Sequence, residues 1–219
     1  SSIDMQRLIE QSEKNSPQEY DKIFLERQKK GVDEHDLRRW KRLLKYYKGG
    51  PIIDIGCLDS LIPQMARKKD KVSRIFAVDV AEKTMWRLQE ENPTIRYGVR
   101  DILGKNKEMG SMGMDASYDY AVMGEVLEHL DRPENAVKEA MRILKPGGVL
   151  AISTPLEEAR EPGAVDRQRH LWSFSKQDMR DILEPYGKVK MEVVGSLFSW
   201  RAPFYRYCWK SLIAFCWKK

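Results

Sequence analysis

The pattern of apolar and polar positions changes character at Pro51. Before it, apolar residues recur at helical spacing in highly charged surroundings: Tyr20 and Phe24, then Leu37, Trp40, Leu43 and Leu44. This predicts two amphipathic helices, over residues 16–30 and 33–47, with Asp33 as N-cap of the second and Gly49-Gly50 closing it. Their stripes are expected to pack on the rest of the domain. After Pro51, short apolar runs alternate with amphipathic stretches. Strands are predicted over 51–55, 74–80, 94–99, 118–123 and 149–154, and helices over 61–69, 82–91 and 133–144. Residues 105–116 read as a loop, and Lys145-Pro146-Gly147-Gly148 as the stop of the third of these helices. A helix over 176–186 follows. Strands over 188–195 and 211–217 are expected to form an antiparallel pair.

Strands alternating with helices at this spacing imply βαβ units. The expected fold is α/β: a seven-stranded, mostly parallel sheet with an antiparallel last strand and helices on both faces. Residues 1–50 are expected to be a helical extension packed on a core domain over 51–219. Composition agrees: 42% hydrophobic and 33% charged residues over 219 positions suit one globular domain. No run approaches the ~20 apolar residues of a membrane span. No secretory leader pattern opens the chain, and its first residue, Ser1, reads as a trimmed start. Cys57, Cys208 and Cys216 give an odd count without metal-ligand spacing, which excludes a disulfide framework and suits a reducing, cytoplasmic setting. A net charge of +6 permits an anionic partner without requiring one. Part of the excess lies in Arg38, Arg39, Lys41, Arg42, Lys45 and Lys48, and part near the end of the chain, including Arg201, Arg206 and Lys210.

The candidate chemistry sits at strand ends. Ile52-Ile53-Asp54-Ile55-Gly56-Cys57 delivers an acid and then a glycine turn, at the carboxyl end of a buried strand where open α/β sheets bind ligands. Glycine lets the backbone approach a nucleoside closely. Asp79 ends the next strand, 23 residues after Gly56, where a carboxylate accepts hydrogen bonds from ribose hydroxyls. Its alternative use is as a helix N-cap. Asp101 follows the third strand, placed to accept an adenine amino group with Ile102 flanking the ring, or else to cap its own loop.

With the block from Tyr118 to Pro155, including Met123-Gly124-Glu125-Val126-Leu127-Glu128-His129 and Lys145-Pro146-Gly147-Gly148, the chain resembles class I S-adenosylmethionine-dependent methyltransferases. The branch it looks most like holds ubiquinone-biosynthesis O-methyltransferases and small-molecule and sugar methyltransferases. The resemblance runs over about 51–155, and more loosely to Gly195. It implies S-adenosylmethionine as cofactor. Asp54, Gly56 and Cys57 would surround its methionine part, Asp79 and Val80 its ribose, and Asp101 and Ile102 its adenine. Met123, Gly124 and Glu125 would lie beneath the sulfonium. One departure stands out: Leu58 and Ser60 occupy the second and third glycines of the family's Gly-x-Gly-x-Gly loop. A Cβ there restricts φ and takes up room.

Glu125, Glu128 and His129 fall at i, i+3 and i+4, on one face if a helical turn starts at Glu125. With His170 from a later loop they form a candidate site for a divalent cation. This arrangement is similar to those of small-RNA 3′-end 2′-O-methyltransferases and ubiquinone-type O-methyltransferases. Without metal, His129 or His170 is the candidate general base. The segment from His170 to Ser175 is expected to line the substrate mouth, and the loop from Trp200 to Arg206 to form a lid or an aromatic cluster. The leading reading is methyl transfer to an O or N atom of a small-molecule or sugar-like acceptor. The alternatives are an RNA-directed 2′-O methyltransferase, a non-catalytic binding module that keeps the fold, and, more weakly, an NAD-dependent oxidoreductase. Nothing in the sequence fixes the oligomeric state.

Overall fold

The computed structural model describes residues 6–8, 13–104, 112–156, 169–195 and 210–219. Two helices come first, α1 (Pro17–Lys30) and α2 (Glu34–Leu43). Each starts where the sequence supplies a cap: the Ser16 hydroxyl accepts from the Glu19 N–H, and an Asp33 carboxylate oxygen accepts from the Asp36 N–H. Before them a short strand, β1 (Gln6–Arg7), pairs antiparallel with β7 (Trp172–Ser173).

The main sheet holds β2 (Ile52–Ile55), β3 (Ile75–Asp79), β4 (Arg96–Val99), β5 (Tyr118–Gly124), β6 (Leu144–Pro155), β8 (Gly187–Gly195) and β9 (Lys210–Lys218). Their order is β4-β3-β2-β5-β6-β9-β8. The first five run parallel, and β9 lies antiparallel between β6 and β8. The Rossmann-like, mostly parallel sheet with an antiparallel last strand is therefore the observed one. Helices α3 (Ile62–Lys69), α4 (Glu82–Glu91), α5 (Pro133–Ile143) and α6 (Lys176–Leu183) connect the strands.

Strand alternation splits the core in two. Ile53, Ile55, Ala121 and Met123 face α5 and α6, among Met141 and Ile182. Ile52, Tyr120 and Val122 face the other way, toward Ile62 of α3 and Met85 of α4. Phe24 of α1 and Trp40 and Leu43 of α2 are buried in that second cluster, so the N-terminal helices share a core with the sheet.

Three element boundaries differ from expectation. The chain enters β6 at Leu144, and the Lys145–Gly148 stretch is an irregularity inside that strand: Tyr118 pairs with Leu144, and Tyr120 next with Val149. Gly147, at φ +75°, accommodates the excursion. Helix α6 stops at Leu183, two residues before Pro185: Glu184 still has helical backbone, but proline has no N–H to continue the helical hydrogen bonds. Helix α2 stops at Leu43, and the turn after it brings Tyr47 to bond the Gly50 carbonyl.

Candidate functional site

A cleft of about 360 Å³ opens over the carboxyl ends of β2, β3 and β5. Chain order reverses there, between β3 and β5 on either side of β2. Gly56 makes the first turn at φ +70°, and a Cβ on it would lie 2.5 Å from Val126 Cγ2. Glycine is thus required twice over, by conformation and by space. Leu58 holds the left-handed conformation too, at φ +37°. Its N–H donates to Asp79 Oδ2 at 3.0 Å, and Ala81 N–H donates to the other oxygen at 3.0 Å. Asp79 therefore braces the first loop and heads α4 while it lines the cleft. Ser60 stabilises the start of α3, its hydroxyl accepting from Ile62 N–H.

Asp54 is buried beneath this loop, and its Oδ2 has no hydrogen-bond partner. Burial pushes its carboxyl up to about 8; the Ser60 hydroxyl pulls against that, and the charge of Asp79 adds to it. Burial likewise raises Asp79 and holds the Cys57 thiol well above its ordinary value. On the neighbouring strand end, Asp101 Oδ1 accepts from Leu103 N–H at 2.9 Å, with Ile102 buried beside it.

At the end of β5 the backbone turns through Glu125, at φ +56°, into a single 3-10 turn over Leu127–His129. This overturns the expectation of one shared face for Glu125, Glu128 and His129. The left-handed residue breaks the helical run, and Glu125 Oε1 is taken by Arg39 Nη1 at 3.1 Å and by the Ser211 hydroxyl at 3.3 Å. The ligand atoms that do converge belong to Glu128, His129 and His170, all within 4.8 Å of one another. Glu128 is 1% exposed, and neither carboxylate oxygen has a hydrogen-bond partner. Burial raises it first, and Glu125 adds to this; His170 and Arg39 oppose. Burial, helped by His170, drops His129 to about 3. Its Nδ1 faces the Arg169 carbonyl at 3.2 Å, which assigns the proton to Nδ1 and leaves the Nε2 lone pair open, 4.0 Å from Glu128 Oε1. Asn15 Nδ2 donates to the same carbonyl at 2.7 Å, and Tyr20 hydroxyl donates to Asn15.

The N-terminal helices roof the cleft with residues that the sequence did not single out for it: Tyr20, Ile23, Arg27, Asp36, Arg39 and Trp40. A chain of ion pairs crosses the roof. Arg27 Nε lies 2.6 Å from Asp59 Oδ2 and its Nη2 2.6 Å from Asp36 Oδ2; Arg39 Nη2 lies 2.6 Å from Asp36 Oδ1. With Arg39–Glu125 it ties the first loop to the end of β5. The available signal was charge at Asp36 and Arg39, which share a face of α2 with the apolar-stripe residue Trp40 at i, i+3 and i+4.

Of the residues expected at the cofactor, Asp54, Gly56, Cys57, Asp79, Val80, Asp101, Ile102, Gly124 and Glu125 line the cleft. Met123 points to the α5 side and is fully buried there. From the His170–Ser175 segment only His170 reaches the cleft. Trp172 is held by β7 and donates to the Leu130 carbonyl, and Phe174 is in the core. The loop from Trp200 to Arg206 lies outside the described residues.

Residues 32–189 match the family model described as a methyltransferase domain. A probable S-adenosylmethionine-dependent methyltransferase of Mycolicibacterium smegmatis is 30% identical over 163 residues, covering 71% of this chain and 58% of that protein. The malonyl-[acyl-carrier protein] O-methyltransferase of Halalkalibacterium halodurans is 30% identical over 146 residues, covering 61% of this chain and 54% of the relative. The chain thus spans little more than half the length of these relatives. Among solved structures, the Burkholderia thailandensis 1,6-didemethyltoxoflavin-N1-methyltransferase superposes with a TM-score of 0.65 at 17% identity, covering 93% of this chain and 91% of that one. The N-methyltransferase NodS of Bradyrhizobium japonicum, in complex with S-adenosylhomocysteine, gives 0.61 at 18% identity, covering 85% and 88%. These two likenesses concern the fold.

Proposed function

We propose that this chain, which belongs to the methyltransferase domain family, transfers the methyl group of S-adenosylmethionine to an oxygen or nitrogen of a small-molecule or sugar-like acceptor. The observation that carries this reading is the placement of Asp54, Asp79 and Asp101 at the ends of three successive strands, around one cleft. The cofactor fits what the chain offers. A cleft of about 360 Å³ lies in the range of small-molecule sites. Its described lining carries seven carboxyl groups against four guanidinium groups, and with Asp54 and Glu128 held protonated by burial it still adds no net positive charge in a chain of net charge +6, which leaves room for a sulfonium and an ammonium. Asp54 brings a buried oxygen in need of a donor. Gly56 keeps the floor open, Asp79 faces the position of a ribose, and Asp101 with Ile102 that of an adenine.

When bound, the cofactor supplies a methyl carbon already activated by its sulfonium. What remains for the chain is alignment and exclusion of water, which supply most of the rate. The roof of α1 and α2 closes the cleft above, and Glu125, Glu128 and His129 face the acceptor side. His129 stays neutral at physiological pH and offers Nε2 to orient an acceptor hydroxyl or amine. Calorimetric titration with S-adenosylhomocysteine tests this. One-to-one binding is expected, weakened at least tenfold in Asp79→Asn, since a hydrogen bond to a charged group contributes about 1.5–3 kcal/mol. Absence of heat at millimolar ligand in the wild-type chain favours the non-catalytic binding module.

A divalent cation on Glu128, His129 and His170 is a second reading, supported by the two unpartnered Glu128 oxygens and the converging imidazoles. Such an ion would hold an acceptor oxygen and favour its ionised form. Titration with Mn²⁺ should give one saturable site in the wild-type chain and none in His170→Ala. Identical isotherms for the two proteins would remove the cation from the mechanism.

A further inference from the structure

The basic excess of the chain is segregated. The cleft lining balances its four guanidinium groups with carboxyl groups, so the net +6 resides elsewhere. On α2 the helical period sorts the charges. Asp36, Arg39 and Trp40 turn into the cleft, whereas Arg38, Lys41 and Arg42, at i, i+3 and i+4, follow the opposite side, and Lys45 joins them from the turn after the helix. Lys41, Arg42 and Lys45 are exposed. This stripe abuts the edge strand β8. There Val189 and Met191 pack on the α5–α6 core, so the alternating residues Lys188 and Lys190 emerge on the α2 side. The two elements touch. Lys45 Nζ lies 2.7 Å from Glu192 Oε2, and Arg42 Nη1 3.6 Å from its Oε1. The ammonium groups of Lys45 and Lys190 sit 5.5 and 5.7 Å from the centre of the Tyr46 ring. Six cations share this face with two acids in contact with them, Glu192 and, through Arg38 at 3.7 Å, Glu34.

We infer that the α2–β8 face docks the phosphate backbone of a nucleic acid, whichever acceptor the cleft methylates. Two features favour this occupant over other polyanions. Four of the six cations are lysines, and among the described residues no exposed apolar residue lies at their centre; protein interfaces deplete lysine and gather aromatics there. Tyr46 is no substitute, because its ring is packed edge-on against Phe215 and Trp217 at 4.7 and 4.9 Å. A lipid surface also fits poorly. The apolar side of α2, with Trp40, Leu43 and Leu44, is buried in the domain, which leaves no face to enter a bilayer. Lysine and arginine contacts to phosphate need neither feature and carry no sequence preference. A strand lying here would run along α2, whose other side roofs the cleft.

The test is fluorescence anisotropy of a labelled 20-nucleotide single-stranded RNA titrated with the full chain at a series of salt concentrations. The expected slope of log affinity against log salt is about −3 to −4, for about five phosphates neutralised on a single strand. The double variant Lys41→Glu with Lys190→Glu should weaken binding at least tenfold at low salt. The control pair Lys71→Glu with Lys83→Glu makes the same change in net charge on exposed positions at the β3–α4 side, and should stay within twofold of wild type. Thermal melting verifies that both variants fold. Absence of binding at low salt, equal losses in the two double variants, or displacement of the RNA by polyglutamate or by phosphatidylserine vesicles at equal charge concentration would each overturn the inference.

Discussion

Asp54 concentrates the chemistry of the site in one carboxyl group. The strand-then-glycine pattern was enough to place it at the cleft, since a buried strand ending in an acid has few other uses. Its charge state was not legible, because that depends on burial by residues far away in sequence. Unfolded, it titrates as an ordinary carboxylate; folded, it keeps its proton to about pH 8. The native state therefore holds a proton that the unfolded chain sheds near pH 4, and stability attributable to this group falls as pH rises between those values. Asp54→Asn keeps the shape and cannot ionise. In denaturant unfolding without ligand, the variant should gain on wild type steadily from about pH 4 to pH 8 and level off above; parallel pH profiles would refute the assignment. Leu58 shows the opposite case. The departure from glycine was plain in the sequence, but not its consequence. The residue keeps the left-handed conformation at a cost of about 1–2 kcal/mol, offset in part by its N–H bond to Asp79 and its packing on the second core cluster.

Among elements, α1 and α2 carry the largest difference between expectation and outcome. Their caps and stripes made them legible as helices. A helical stripe does not say which of its members reach the core and which reach a cavity edge. Phe24 and Leu43 reach the core; Tyr20, Asp36, Arg39 and Trp40 line the cleft. The Asp59–Arg27–Asp36–Arg39–Glu125 chain then ties the roof to the loop after β2 and to the end of β5. Arg39 joins Asp36 to Glu125 in it and is nearly buried, at 10% side-chain exposure. Arg39→Leu leaves Glu125 with only the Ser211 hydroxyl and Asp36 with only Arg27, so it should destabilise by about 3 kcal/mol, as removal of one partner of a buried pair does. Chemical denaturation measures this. A loss below about 0.5 kcal/mol would class the chain with surface pairs that contribute little.

The whole molecule puts the cleft between two bodies of structure, a sheet that supplies acids at strand ends and a helical roof that supplies arginines. A ligand enclosed there must order both. With S-adenosylhomocysteine bound, amide hydrogen exchange should slow in α1 and α2 as well as in the loop after β2, because exchange reads local opening. Protection of the loop alone would show that the roof takes no part in closing the site. The sequence by itself determined the alternation of strands and helices, the antiparallel last strand and the acids at Asp54, Asp79 and Asp101, because hydrophobic period and turn chemistry are local properties of the chain. Only the tertiary structure decided which charges meet. It turned Glu125 from His129 toward Arg39, gathered Glu128, His129 and His170, and divided α2 into a cleft side that carries the Asp36–Arg39 pair and a basic outer side. Those outcomes rest on contacts between residues far apart in sequence, 42 positions for Glu128–His170, 86 for Arg39–Glu125 and 150 for Arg42–Glu192, where burial and geometry are set by packing that no local pattern encodes.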